Sequence, residues 1–366
     1  MSPAPPAVLL AGGGTAGHVA PLLALADCLA GRDAATPILV LGTANGLEQR
    51  MVPDRGYALA VVPRVPMPRR PSADLLALPG RLRDAVRAAE RAIDEVGADV
   101  VVGFGGYVST PAYLAARRRG LPLVVHEQNS RPGLANRVGA RFTRYVAVTF
   151  PGTPLPHSIR IGLPMRAEVA HLDRDALREK AREHFGLRPD LVTLLVYGGS
   201  QGAQRLNETF GRAAADLVGA GVQVLHASGE GKQVAPAGES SDVPYVVVPY
   251  LDRMDLAYAA ADLVVGRAGA GTVCEVTAVG LPAAYVPLPI GNGEQALNAR
   301  PVVNAGGGVL VDDAACSPAW VRSGLLPLLM DAPRRERMGH AASGFGVRDA
   351  DERLADMVLA AAEGGS

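Results

Sequence analysis

A glycine-rich turn near the start of the chain ends in a histidine. Gly12-x-Gly14-x-x-Gly17 follows a short apolar run, and His18 comes directly after it. Glycines at this spacing let the backbone approach a phosphate group, and the helix that follows offers unpaired amides. A helix N-terminus disfavours the imidazolium, so His18 is predicted to be neutral and able to accept a proton. The alternative is a tight turn without a ligand, followed by an ordinary exposed histidine.

The same glycine pattern occurs in nicotinamide-dependent oxidoreductases, which are the first alternative function. Those enzymes carry an acidic residue at the end of the second strand, where it binds the ribose. Here that strand is predicted to end at Leu41-Gly42-Thr43, and Glu48 lies already beyond it. The spacing therefore argues against an oxidoreductase.

Four consecutive polar residues, His126-Glu127-Gln128-Asn129, follow the predicted strand Leu123–Val125. Ligands bind at the carboxyl ends of strands in open α/β sheets, and sugar hydroxyl groups would satisfy side chains of these types. We therefore interpret the four residues as a sugar site.

A second glycine cluster spans residues 103–111, between a predicted strand and a predicted helix. One interpretation is a turn capped by Ser109 or Thr110, with Pro111 at the first helical position. The other is a loop that faces a ligand. The sequence leaves both open.

The second half of the chain contains a related pattern. Small residues from Ala268 to Thr272 follow the predicted strand Leu263–Val265 and lead into a helix, which indicates phosphate contact. Glu275 lies one turn into that helix, where it could accept from a ribose or only stabilise the helix start. Gln295 and Asn298 are three residues apart and would share a helix face. Together these sites predict one extended ligand, such as a sugar nucleotide.

Two D-x-D strings occur, at Asp173–Asp175 and Asp349–Asp351. Each stands at the start of a charged helical stretch, where helix capping explains it. We therefore predict no metal site and no cofactor.

Short apolar runs alternate with helical stretches, which is typical of an α/β fold with doubly wound parallel sheets. The pattern starts twice, because Leu194–Tyr197 leads into Gly198–Ala203 much as the first strand leads into Gly12–His18. We expect an N-terminal domain at 1–160, a second domain at 161–348, and a C-terminal helix at 349–366 that packs back on the first domain. The Pro- and Gly-rich segment Phe150–Pro164 is the expected linker.

Composition sets the remaining limits. The 366 residues are 48% hydrophobic, and 36 basic residues balance 36 acidic ones, so no net charge attracts nucleic acid. The three cysteines lie far apart, which argues against a disulfide framework or a zinc cluster and fits a reducing cytoplasm. We interpret the N-terminus as lacking a signal peptide, and no apolar run would span a bilayer.

The stretch Arg64–Arg91 combines seven arginines, three acidic residues and several leucines. Basic residues beside exposed leucines suit an anionic membrane surface. A solvated helix face with a buried apolar stripe explains the pattern equally well.

Together these strings closely resemble the MurG family of bacterial peptidoglycan N-acetylglucosaminyltransferases. The resemblance covers nearly the whole chain and rests on Gly13–His18, Phe104–Pro111, His126–Asn129, Pro132–Asn136, Gly198–Ala203, Ala268–Glu275 and Gln295-x-x-Asn298. It implies the GT-B fold, with two Rossmann-like domains facing across a cleft, and metal-independent, inverting transfer from UDP-GlcNAc. The acceptor would be lipid I, the undecaprenyl-linked muramoyl-pentapeptide, and the product lipid II.

The resemblance also implies site residues. In the first domain Thr15, Ala16, Gly17 and Asn129 would face the donor sugar and the acceptor, with His18 or Glu127 as the base. Donor contacts would come from Arg166, Ser200, Leu251, Ala270, Gly271, Thr272, Val273, Cys274, Glu275, Gln295 and Asn298. The region Arg64–Arg91 resembles the family's membrane-docking surface, which implies a peripheral protein on the cytoplasmic face of the membrane and a cell-wall synthesis complex as a partner.

The sequence departs from the family pattern at two places. Glu294 stands where many members have a glutamine, and Leu163 replaces an asparagine before Pro164. Two further alternatives are a related GT-B transferase with a different acceptor and a non-catalytic sugar-nucleotide sensor, and the intact His18 argues against the sensor.

Overall fold

The computed structural model describes residues 4–65, 74–199, 203–237, 242–290 and 292–364, with side chains described for all of these except 74–76. Strands and helices alternate along the described chain, as the apolar pattern predicts. The chain divides into two compact units, Met1–Arg166 with Asp349–Ser366, and Ala167–Arg348.

The first unit is built on a parallel sheet. Its strands are β1 (Val8–Ala11), β2 (Ile38–Gly42), β3 (Ala58–Val61), β4 (Val100–Gly103), β5 (Leu123–Glu127), β6 (Tyr145–Val148) and β7 (Ser158–Arg160). Its helices are α1 (Ala16–Arg32), α2 (Glu48–Asp54), α3 (Asp74–Val96), α4 (Gly106–Arg119), α5 (Leu134–Gly139) and, from the C-terminal end of the chain, α16 (Ala350–Glu363). The strand order is β3-β2-β1-β4-β5-β6-β7 among the described residues, and every pairing is parallel.

Helices cover both faces of this sheet because its strands are apolar on both sides. Alternate residues of β1 point to opposite faces, so Leu9 packs with α3 and α4, whereas Val8 and Leu10 pack with α1 and α16. Leu354 and Val358 of α16 are fully buried in the second of these clusters. The last helix of the chain thus completes the core of the first unit.

The second unit repeats the plan. Its strands are β8 (Val192–Tyr197), β9 (Val222–Ala227), β10 (Tyr245–Val248), β11 (Leu263–Gly266), β12 (Ala283–Tyr285) and β13 (Gly308–Leu310), in the order β10-β9-β8-β11-β12-β13. Its helices are α6 (Ala167–Ala170), α7 (Arg174–His184), α8 (Gln204–Arg212), α9 (Ala214–Gly219), α10 (Met254–Ala260), α11 (Ala270–Ala278), α12 (Glu294–Asn304), α13 (Pro318–Trp320), α14 (Leu326–Met330) and α15 (Ala332–Phe345), with a π-helical turn at Val321–Leu325.

Both sheets therefore have the 3-2-1-4-5-6 order of the Rossmann fold, which confirms the predicted fold class of two doubly wound units. In such sheets ligands bind beyond the carboxyl ends of the strands, where the strand order reverses. These switch points lie between β1 and β4 in the first unit and between β8 and β11 in the second. The glycine-rich loops of the sequence follow these four strands.

Two local expectations were wrong. The segment expected to be a linker, 150–164, contains β7, which pairs with β6 at the edge of the first sheet, and the units divide after Arg166. Helix α4 begins at Gly106, so Pro111 lies inside it and Ser109 does not cap it. Burial of the Ser109 side chain against the β1 end explains this earlier start, because it ties the first helical turn to the sheet.

Candidate active site

The loop after β1 presents His18 on the first turn of α1. Thr15 is the N-cap residue of that helix, but its hydroxyl does not bond to the helix backbone. Instead Oγ1 of Thr15 lies 2.8 Å from Nδ1 of His18. Burial lowers the pKa of His18 below its usual value, and the charge of Glu48 opposes part of this shift. A neutral ring that donates from Nδ1–H to Thr15 keeps Nε2 unprotonated, as a base requires.

Glu48, at the first position of α2, lies directly behind this loop. Its carboxylate accepts from the backbone N–H of Gly14 at 2.9 Å and from the N–H and hydroxyl of Thr43 at 2.8 Å each. The side chain is fully buried. The Gly14 N–H therefore donates to this carboxylate and is not available to a phosphate. For this amide, the expectation that the first glycine turn binds phosphate is wrong.

The loop after β4 meets the β1 loop at Gly105. This residue has a φ of +92°, and a methyl group on it would lie 3.3 Å from Nε2 of His18 and 3.3 Å from Nδ2 of Asn136. Ser109 anchors this loop to the end of β1, because its hydroxyl donates to the Ala11 carbonyl at 3.0 Å. Gly105 is thus the point where three loops come together, and a side chain there would displace the candidate base.

The polar run after β5 mostly faces inward. His126 and Gln128 are buried, with Nε2 of His126 donating to the Gly162 carbonyl and Nε2 of Gln128 donating to the Phe104 carbonyl. Burial lowers the pKa of His126 to about 4, so the ring is neutral. The expectation that these two side chains bind sugar hydroxyls is therefore wrong, because their hydrogen bonds secure neighbouring loops.

Glu127 lies in the same run and organises the loop that follows it. Its carboxylate accepts from the N–H groups of Asn129 and Gly133 and from Nδ2 of Asn136, each at 2.9 Å. Burial raises the pKa of Glu127, while these donors lower it. Asn136 also accepts from the Tyr113 hydroxyl at 2.6 Å, which locks the loop to α4. Asn129 is half-buried at the loop's start.

A cavity of about 600 Å³ opens beside His18 within the first unit. Thr15 and the β1 loop form one wall, and Tyr107 of α4 forms another. Arg64 and Arg91 also line it, with the Arg64 guanidinium 4.8 Å from the centre of the Tyr107 ring. The cavity thus combines a base, apolar surface and positive charge.

In the second unit, α11 begins directly after β11, as the sequence indicates. The N-cap residue Gly269 leaves the first amides of α11 without partners inside the helix. Ala270, Val273 and Cys274 are buried, whereas Gly271 and Thr272 are partly exposed. Such a helix start is suited to an anion such as a phosphate.

Glu275 is held by a chain of buried hydroxyls that sequence reasoning missed. The Tyr258 hydroxyl donates to Oε2 of Glu275 at 2.7 Å and lies 2.9 Å from the Tyr197 hydroxyl. Both tyrosines are buried. A tyrosine 17 residues upstream gives no spacing signal, so only the folded chain reveals this support.

The remaining predicted donor residues fall in three kinds of position. Oε1 of Gln295 accepts from the Leu288 N–H at 2.9 Å, whereas Asn298 is fully buried and donates to the Ala268 carbonyl at 3.4 Å. Leu251 is buried before α10, and Arg166 is half-buried at the end of the first unit's main segment. Ser200 lies outside the described residues. Asn298 therefore supports the loop before α11, and the shared helix face does not make it a second sugar contact.

The D-x-D strings each contribute an acid that stabilises the neighbouring helix. Oδ1 of Asp173 accepts from the Ala176 N–H and caps α7, whereas Asp349 pairs with Arg353 at 3.0 Å one turn along α16. Helix stabilisation accounts for both acids, as predicted for Asp173.

The described part of Arg64–Arg91 is a two-sided helix. Arg83 and Arg87 are exposed on α3, while Val86 and Ile93 are buried against the sheet. Met67 lies outside the described residues, and the side chains of Leu75 and Leu76 are not described. Among the helices that the structure describes, none is long and apolar enough to cross a membrane.

Two Rossmann-like units with glycine-rich loops at both switch points are the architecture of the GT-B class, to which many glycosyltransferases belong. The family description "Glycosyltransferase family 28 N-terminal domain" matches residues 8–148, and "Glycosyltransferase family 28 C-terminal domain" matches residues 193–354. The chain thus belongs to glycosyltransferase family 28 and, by the relatives described next, to its MurG transferases.

Two curated relatives bear the same name, UDP-N-acetylglucosamine–N-acetylmuramyl-(pentapeptide) pyrophosphoryl-undecaprenol N-acetylglucosamine transferase. The protein from a Nocardioides species is 60% identical over 354 residues, which are 96% of this chain and 97% of the relative. The protein from Streptomyces avermitilis is 57% identical over 355 residues, 97% of this chain and 98% of the relative.

A solved structure of Acinetobacter baumannii MurG is 28% identical, covers 97% of this chain and 99% of that one, and superimposes with a TM-score of 0.77. The calicheamicin glycosyltransferase CalG4 is 21% identical with a TM-score of 0.68, covering 98% of both chains, and shares the fold. The two curated relatives confirm the family that the sequence motifs indicate, and CalG4 shows the fold alone.

Proposed function

We propose that this enzyme transfers N-acetylglucosamine from UDP-GlcNAc to lipid I, forming lipid II for peptidoglycan synthesis. The observation that carries the proposal is 60% identity, over 96% of the chain, to a transferase named for this donor and acceptor. The acceptor nucleophile is the C4 hydroxyl of the N-acetylmuramoyl group, and the anomeric centre is inverted.

His18 is the base of this reaction. The acceptor oxygen attacks the anomeric carbon, the bond from that carbon to the UDP oxygen breaks, and the hydroxyl proton passes to Nε2 of His18. In the tautomer in which Nδ1–H donates to the Thr15 hydroxyl, Nε2 is unprotonated and can accept this proton. Thr15, Ala16, Gly17 and Asn129 surround the reacting sugars in this proposal.

Glu127 fits the role of base less well than His18. Both of its oxygens already accept N–H groups from Asn129, Gly133 and Asn136. To act as a base it would have to give up the hydrogen bonds that shape its loop. We therefore propose that Glu127 shapes the acceptor site and that His18 takes the proton.

The donor is bound by the second unit. Charge that develops on the departing UDP is stabilised by the first amides of α11, from Ala270 to Thr272, together with Ser200 and Arg166, while Val273 and Cys274 continue the helix behind them. Glu275 accepts from the ribose hydroxyls, the backbone at Leu251 contacts the uracil, and Gln295 contacts the sugar. The helix-capping role of Asp173 supports a reaction that needs no D-x-D metal site.

We also propose that the enzyme works at the cytoplasmic face of the membrane as a peripheral protein. A polyprenyl-linked acceptor remains in the bilayer, so the enzyme must reach its surface. The exposed arginines of α3 supply positive charge for anionic lipids, each contributing about 1 kcal/mol near such a surface. Membership of a cell-wall synthesis complex would follow from the same location.

The test is transfer of labelled N-acetylglucosamine from UDP-GlcNAc to a lipid I analogue in the presence of EDTA. We expect labelled disaccharide-lipid, which would establish donor, acceptor and metal independence together. Binding of UDP-GlcNAc without labelled lipid, with or without added Mg²⁺, would refute the acceptor assignment. Activity only with added Mg²⁺ would refute metal independence alone.

A further inference from the structure

Glu48 lies in a recess that the sequence keeps free of other side chains. A Cβ atom on Gly13 or Gly42 would lie 2.5 Å from an atom of Glu48, and one on Gly46 would also collide with it. The carboxylate is fully buried, and burial alone would raise its pKa. Donors from Gly14, Thr43 and the N–H of Glu48 itself outweigh burial and lower the pKa instead. The recess therefore holds a charged carboxylate.

This carboxylate is connected to His18 by a short path. Glu48 accepts the N–H of Gly14, which is in the left-handed region with a φ of +87°. The next residue is Thr15, whose hydroxyl holds Nδ1 of His18. Loss of the Glu48 contact would therefore free the turn that fixes the orientation of the imidazole.

We propose that Glu48 is a positioning residue for His18, holding the Gly12–Thr15 turn and stabilising by its negative charge the imidazolium that forms during transfer. The proposal rests on the proposed function, in which His18 is the base. It adds a residue from α2, outside the glycine loops, to the catalytic apparatus. A carboxylate that orients and electrostatically supports a general base increases the rate without contacting the substrate.

Other charged groups near His18 lie in different positions. Arg64 and Arg91, from beyond β3 and from α3, line the same cavity, as does Tyr107 of α4. The Glu127 carboxylate is connected to the surroundings of His18 through the hydrogen bond that it accepts from Asn136. Among all of these, Glu48 is the group whose charge raises the pKa of His18.

The experiment compares Glu48→Gln, Glu48→Asp and the control Asp54→Asn in the full-length enzyme. Asp54 is exposed on the same helix, so its variant removes one negative charge without touching the loop. The readouts are UDP-GlcNAc affinity, the pH profile of kcat/KM with a lipid I analogue, and the His18 pKa from NMR titration. The His18→Gln spectrum assigns the signal.

We expect Glu48→Gln to lower kcat by about 10- to 100-fold, with unchanged UDP-GlcNAc affinity. Its His18 pKa and the acidic limb of its pH profile should move to lower pH, because the charge that favours the imidazolium is gone. Glu48→Asp keeps the negative charge on a side chain that is one methylene shorter. We therefore expect a lower kcat, whereas the acidic limb of the pH profile should not shift.

A His18 pKa in Glu48→Gln equal to that in Asp54→Asn would overturn the proposal, since Glu48 would then serve only the fold. If Glu48→Gln does not fold, a wild-type kcat in Glu48→Asp overturns the positioning role and a reduced kcat with an unshifted limb supports it. The NMR titration requires no acceptor, so it tests the Glu48 proposal even without transfer activity. The proposed function itself fails if the wild type shows no transfer or if His18→Gln keeps full kcat. The two failures are therefore distinguishable.

Discussion

At the level of single residues, the proposed chemistry of the first unit depends on the orientation of one imidazole, that of His18. The Thr15 hydroxyl faces Nδ1 of His18, and Gly105 leaves room beside Nε2. Replacement of either neighbour would alter the direction in which the base points. The second unit places a comparable demand on Glu275, whose carboxylate is held by Tyr258.

We expect His18→Ala to lower kcat by about 10²- to 10⁴-fold with little change in UDP-GlcNAc affinity, because a base acts only in the transition state. Steady-state kinetics and isothermal titration calorimetry measure the two quantities. Equal losses in kcat and affinity would show that His18 binds the donor. Thr15→Val, which removes the hydroxyl that contacts Nδ1 with little change in shape, should also lower kcat.

The pH dependence of the wild type follows from the same residue. Burial lowers the pKa of His18, and the reactive form is the neutral ring. The rate should therefore rise as pH increases through this lowered pKa, and the acidic limb of kcat/KM should lie below the ordinary histidine value of about 6.5. An acidic limb above that value, or one that persists in His18→Ala, would assign the titration to another group.

Tyr258→Phe should weaken UDP-GlcNAc binding by about 3- to 10-fold, as expected when one hydrogen bond to a binding carboxylate is lost. Calorimetry with UDP-GlcNAc measures this change. Tyr197→Phe is the matched control, because it removes a buried hydroxyl that contacts Tyr258 and not Glu275. A larger loss in the control would mean that packing of the tyrosines, and not the Glu275 contact, supports the donor site.

At the scale of elements, α16 packs into the core of the first unit although it lies far from the rest of that unit along the chain. It begins at Ala350, yet Leu354, Ala355, Val358 and Ala361 are buried in the core formed by α1 and the first sheet. The Arg32 guanidinium also pairs with Asp356 at 2.6 Å. The first unit thus depends on the C-terminal end of the chain for one layer of its core.

Leu354→Ala should destabilise the first unit by about 2–5 kcal/mol, through lost burial and a cavity. Asp356→Asn, which removes an exposed ion pair, should cost less than about 1 kcal/mol. Urea unfolding followed by far-UV circular dichroism measures both. The single tryptophan, Trp320, lies in the second unit, so its fluorescence reports the unfolding of that unit. A dichroism midpoint unmoved by Leu354→Ala would contradict this account of α16.

At the scale of the whole molecule, charge is balanced overall but not locally. The chain has 36 basic and 36 acidic residues, so attraction to a membrane must come from particular surfaces. The exposed arginines on α3, opposite the buried face of the same helix, are the surface that we propose for this contact.

Charge reversal tests this surface. Arg83→Glu/Arg87→Glu should reduce binding to vesicles containing anionic phospholipid by at least about tenfold, since each basic residue near the surface contributes about 1 kcal/mol. Arg334→Glu/Arg337→Glu, at exposed positions on α15, changes net charge equally and should reduce binding less. Sedimentation with anionic and zwitterionic vesicles measures both. Equal losses in the two variants would place the membrane contact elsewhere.

The alternation of strands and helices, the two glycine-led halves and the family can all be predicted from the amino-acid sequence. These features depend on local apolar periodicity and on short motifs. The predicted strands Leu123–Val125 and Leu263–Val265 lie within β5 and β11. The edge strand β7 escaped prediction because its side chains are exposed and carry no apolar run.

Which polar side chains reach the site depends on how the chain packs, and no short motif predicts it. His126 and Gln128 turn inward, whereas Glu48 returns to the Gly14 amide from 34 residues along the chain. Tyr258 reaches Glu275, and α16 reaches α1, across distances that no local pattern encodes. A buried polar group must find its partner wherever the packed chain brings one, because leaving it unpaired costs about 1–3 kcal/mol.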